Sequence, residues 1–84
     1  MREAILGPVG GHYVAVRAFP SADGTDEFLA GFRVFPFRPG SFGDEGHIVS
    51  HACKARYPSV EVALHHARLK GAAAAEQLAC EPPG

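Results

Sequence analysis

Residues Glu27 to Phe37 read EFLAGFRVFPF, a run that is apolar at both parities of a β-strand. Successive strand side chains point to opposite faces. Phe28, Ala30, Phe32 and Val34 therefore share one face, and Leu29, Gly31, Arg33, Phe35 and Phe37 share the other. A strand greasy on both sides belongs in a sheet whose two faces are both covered. Pro36 has no N–H to give to a ladder, so pairing is expected to end near it.

The flanking text supplies neighbours for this strand. His12 to Phe19 (HYVAVRAF) alternates, with Val14, Val16 and Ala18 opposite Tyr13, Ala15, Arg17 and Phe19, and predicts a strand. Residues 20–26 (PSADGTD) hold the Pro, Asp-Gly and short polar residues of a longer hairpin connection. Arg38 to Gly46 (RPGSFGDEG) predicts an irregular loop, and His47 to Lys54 (HIVSHACK) alternates again as a third, less apolar strand. Tyr57-Pro58-Ser59 then opens a helix. The Ser59 hydroxyl is a good acceptor for a first-turn N–H, and Glu61 sits where the helix dipole favours negative charge. Val60, Leu64, Ala67, Gly71, Ala74 and Leu78 form one stripe at spacings of three and four. Gly71 costs about 1 kcal/mol relative to Ala in a helix interior, so it marks either a close approach or a bend.

The expected fold is α+β, a three-stranded antiparallel β-meander followed by one C-terminal α-helix. Residues 1–11, punctuated by Gly7-Pro8 and Gly10-Gly11, are expected as a lead-in. Residues 12–80 are expected as a single β-β-β-α domain, and residues 81–84 (EPPG) as a tail that ends the helix.

A chain of 84 residues has room for one domain, and such domains bury only about 60 to 65% of the surface of their unfolded chain. Stabilisation by a partner subunit is a common remedy. A disulfide is not expected to supply it. Cys53 and Cys80 fit no zinc or redox spacing, and the opening MREAILGPVGG lacks the apolar run of an export signal. That predicts a cytoplasmic protein with free thiols and no membrane segment.

One helix can cover one face of the sheet. The other face carries Leu29, Phe35, Phe37 and Tyr13. Burying one such side chain is worth about 2 kcal/mol, and several exposed together make a patch that monomers seldom carry. The expectation is a homodimer, packed sheet on sheet or joined edge to edge, with these four residues as the self-association surface. The competing cover is the protein's own 38–46 loop, folding over Phe35 and Phe37 with Phe42.

The histidines define no metal site. His47 and His51 stand about 13 Å apart on a strand, too far to share an ion. His51 and Cys53 are about 6.6 Å apart and would need a third ligand such as His65, while His65 and His66 point about 100° apart. No metal and no cofactor are expected. Cys53 beside His51 lacks an acidic orienter, and the glycine-rich loop lacks a lysine and carries Asp44 and Glu45, so no catalytic residue is assigned. The expected function is a non-enzymatic, self-associating interaction or regulatory module. The alternative is a nucleic-acid-binding module that uses Arg17, Arg33, Lys54 and Arg56 beside the aromatics of the second sheet face, as sheet-based modules stack single-stranded bases. Eight Lys and Arg against nine Asp and Glu count against it, because phosphate contacts demand a basic surface.

Three segments carry a family resemblance: Tyr13 to Val16 (YVAV), Phe28 to Val34 (FLAGFRV) and Tyr57 to Ala67 (YPSVEVALHHA). In this order the chain resembles small bacterial β-β-β-α domain proteins with no assigned function. Its fold is similar to the core of double-stranded-RNA-binding domains and to bacterial antitoxin domains. The leading helix of the RNA-binding domains is absent, and the last helix opens with SVEVALHHARLK rather than a lysine cluster. The resemblance implies a fold, and no functional residue follows from it.

Overall fold

The computed structural model describes residues 2–80. Four strands, β1 (Arg2–Val9), β2 (His12–Pro20), β3 (Phe28–Phe35) and β4 (Val49–Tyr57), are followed by one helix, α1 (Val60–Cys80). The strands form one antiparallel sheet in the order β1-β2-β3-β4. The α+β class and the C-terminal helix agree with the sequence. The expected three strands are four, because the supposed lead-in is β1. The Glu81-Pro82-Pro83-Gly84 tail lies outside the described residues.

β1 pairs with β2 from Arg2↔Ala18 to Leu6↔Val14, and the register shifts between Leu6 and Val9, where Gly7 and Pro8 lie. Gly10 and Gly11 make the turn with φ values of 56° and 81°. Positive φ at both central residues gives the twist that a two-residue hairpin needs, and glycine takes it without steric cost. β2 and β3 pair without a break from Tyr13↔Phe35 to Pro20↔Phe28. β3 ends just before Pro36, as a missing donor requires. β4 starts and ends later than its alternation predicts, and its register against β3 slips between Cys53 and Tyr57.

α1 lies across one face of the sheet. Val14, Val16, Ala18, Ala30, Phe32, Val34, Cys53 and Tyr57 meet Ala63, Leu64, Ala67 and Ala75 there in the main core. The helix starts where the sequence places it, with Ser59 Oγ accepting the Val62 N–H at 3.2 Å. Gly71 marks a close approach rather than a bend. A Cβ at this position would stand 2.5 Å from Val14 Cγ1 and 3.3 Å from Phe32 Cβ. The small stripe of α1 thus lets the helix settle onto the phenylalanine and valines of the sheet.

Gly71→Ala sets a helix-propensity gain of about 1 kcal/mol against an overpacking cost of about 1–3 kcal/mol. Chemical denaturation is expected to show a net loss of stability. A variant as stable as the parent would mean that the helix can lift off the sheet freely.

Candidate functional site

The face of the sheet away from α1 is where both sequence-based readings placed their residues. Its centre is the side chain of Gly31, which is to say a gap. Gly31 pairs with Arg17 on β2 and with Ala52 on β4. The 38–46 loop crosses this face and drops the Phe42 ring toward the gap, where Phe42 Cζ would lie 3.8 Å from a Cβ at Gly31. Phe42 is 6% exposed and packs with Ala15, Phe35 and Ile5 in a second, smaller apolar cluster. Of the two covers the sequence allows for Phe35, the structure has the protein's own loop.

Two guanidinium groups approach the same ring. Arg17 Cζ is 4.3 Å and Arg33 Cζ 4.6 Å from its centroid. The register pairs Arg33 with Ala15 and Arg17 with Gly31, so the arginines stand diagonally across two strands. Such contacts are worth about 0.5–2 kcal/mol each, more where water is excluded. Both backbone groups of Phe42 are also held. Its N–H donates to Glu3 Oε1 at 3.1 Å, and its carbonyl accepts from Arg33 Nη1 at 2.9 Å. Arg33 Nε reaches Ser50 Oγ at 3.3 Å. Arg17 Nε is buried with no hydrogen-bond partner among the described residues.

Asp44 gives the loop its shape. It accepts the Gly40 N–H at 2.6 Å and the Ser41 hydroxyl at 2.9 Å. These bonds favour the carboxylate, the Gly40 N–H most, and lower its pKa below the ordinary value. Asp23 does the same for the β2–β3 connection. Arg56 bonds it most strongly, Ser21 and Thr25 add to this, and its pKa is lowered far below the carboxylate range.

The residues proposed for self-association do not form one exposed patch. Phe35 is 0% exposed and unavailable to any partner, while Phe37 is 46% exposed beyond the end of β3. Tyr13 and Leu29 are half-buried at opposite ends of the β2–β3 pair. The four cations are dispersed as well. Arg17 and Arg33 flank Phe42, Lys54 is exposed on β4, and Arg56 is engaged by Asp23 and lies 3.8 Å from Glu27. Of the histidines weighed for a metal, His51 is exposed against Phe32, and Cys53 lies in the core at 4% exposure.

Among the described residues are two grooves that alternation alone did not reveal. One of about 330 Å³ runs between β1 and the loop, lined by Glu3, Ala4, Ile5, Arg38, Gly40 and Ser41. The other, about 230 Å³, lies between β4 and the end of α1, lined by Val49, Ala74, Gln77 and Leu78. Among the described residues no helix is long and apolar enough to cross a membrane. No family model, curated protein or solved structure matches the chain.

The sign of the Asp44 contribution follows from its lowered pKa. The stability it supplies is fully present above the unfolded carboxylate value and is lost as pH falls through the folded one. Acid titration followed by the Phe42 ring resonances is expected to show the loop loosening below about pH 4. In Asp44→Asn the loop signals should already be perturbed at neutral pH, with this acid step removed. An unchanged acid step in Asp44→Asn would assign the loosening to another group.

Proposed function

We propose that the chain is a non-enzymatic interaction module that self-associates by joining sheets edge to edge through β4. The observation that carries this reading is the free edge of β4. From Val49 to Cys53 (VSHAC) it has no Lys, Arg, Asp or Glu, no proline and no glycine. Proteins commonly blunt such edges with charges, prolines and bulges. β1, the other edge strand, has all three in Arg2, Glu3, Pro8 and its register shift. β4 departs from regular pairing only beyond Cys53.

Side chains next to this edge favour an apolar partner surface. Ile48, directly before the strand, is 52% exposed, and the groove of Val49, Ala74, Gln77 and Leu78 opens beside it. A second copy suits the edge because an antiparallel strand pairs with itself about a two-fold axis. With no charge between Val49 and Cys53 and a net charge of −1, little opposes the approach of two copies. The open edge thus favours edge-to-edge association over sheet-on-sheet packing, whose central residue, Phe35, is covered by Phe42.

A five-residue strand pair with one small groove sits at the low end of specific interfaces, so a dissociation constant in the micromolar range is expected. Sedimentation velocity from low to high micromolar protein should show a monomer–dimer equilibrium. Ile48→Lys with Ala52→Lys, both at exposed positions, should weaken it by about tenfold or more without unfolding the protein. A strictly monomeric parent across that range, or a dimer indifferent to both lysines, would overturn the reading.

A further inference from the structure

We propose that the slot holding Phe42 is a binding site for a base of single-stranded nucleic acid, admitted when the 38–46 loop lifts. The slot has the chemistry of a base-stacking platform. Two guanidinium groups lie within 4.3 and 4.6 Å of one ring centroid, over a sheet face that lacks a side chain at Gly31. Aromatic faces and arginine planes stack bases of any sequence in the same way. Phe42 is the internal stand-in for the base.

The stand-in is incomplete in one respect. Arg17 Nε is buried without an acceptor among the described residues. A nucleobase carries carbonyl and ring-nitrogen acceptors on its rim, which the phenyl ring lacks. A buried donor left unpaired is costly, so a ligand that satisfies it gains over the ring it replaces.

On the β1 side Ile5 packs with Phe42 and Glu3 accepts its N–H, so both remain beside the slot when the loop departs. The loop can leave as a unit. The Asp44 bonds run to Gly40 and Ser41 within the loop, whereas Phe42 is tied to the sheet through Glu3 and Arg33. Departure of the loop would carry Asp44 and Glu45 away from this face, together with Arg38, and leave Glu3 beside the slot. The slot meets β4 on the sheet face, where Arg33 bonds Ser50 and Gly31 pairs with Ala52, and not along the outer edge of the strand.

In this arrangement the occupied slot lowers apparent affinity by the fraction of molecules whose loop is open. Fluorescence anisotropy with short labelled oligothymidylate and oligouridylate at low salt tests it. Phe42→Ala is expected to bind at least about tenfold tighter than the parent. Arg17→Gln with Arg33→Gln should cancel that gain, whereas Arg68→Gln with Lys70→Gln on the helix should leave it. A folded Phe42→Ala that binds no tighter, or a gain that survives loss of both slot arginines, overturns the proposal. Where Phe42→Ala does not fold, titration of the parent decides: the Arg17 Nε–H and Gly31 amide resonances should shift with either strand, and silence at both overturns it.

Discussion

A central strand that is apolar on both faces must be kept dry on both, and the rest of the molecule answers to that demand. The two covers are built differently. On one side α1 brings small residues, so that Gly71 comes to rest against Val14 and Phe32. On the other side, among the described residues, one ring on an irregular loop covers the centre of the sheet in place of a helix. The helical cover draws its strength from apolar area that needs no partners. The loop cover depends on polar ties at Glu3, Arg33 and Asp44.

The second cover also explains how a nearly neutral protein places its cations. Arg17 and Arg33 are turned inward onto Phe42. Arg56 is bound by Asp23, and Arg2 lies 3.4 Å from Glu61. Exposed ion pairs of the last kind add little to stability. Arg38, Lys54, Arg68 and Lys70 stay exposed, spread over the loop, β4 and α1. Arg17 and Arg33 are the two cations that meet over a single ring.

Much of the fold was legible because alternation and capping act locally. β2 and β3 follow the alternation of HYVAVRAF and FLAGFRVF, and Ser59 caps α1 as its hydroxyl predicts. β1 was obscured because Gly7-Pro8 and Gly10-Gly11 read alike as breaks, although only Gly10-Gly11 ends the strand. Ala4 and Leu6 do alternate with Ile5, and a two-glycine link before His12 is a hairpin signal in its own right. On the candidate site, sequence placed Arg17 and Arg33 on one face and offered the loop as a cover. It could not tell which aromatics the loop would reach. That depends on the gap at Gly31, a tertiary feature that Phe42 fills from eleven residues further along the chain.

The contrast between the two edges has the same origin as the contrast between the two covers. β1 is held by Arg2 to the start of α1 and by Glu3 to the loop, so its charges serve both faces while also blunting the edge. β4 is covered only in part: Cys53 and Tyr57 lie in the core with α1, while Ser50, His51 and Ala52 stay exposed. The helix leaves a groove at Val49, and the loop reaches it through Arg33 and Ser50. Both edges of the sheet carry unpaired backbone groups, but only β4 presents them along a stretch without charge, proline or bulge, from Val49 to Cys53. A neighbouring chain can meet that need in a way that lengthening the helix cannot, because only another strand offers backbone donors and acceptors in register.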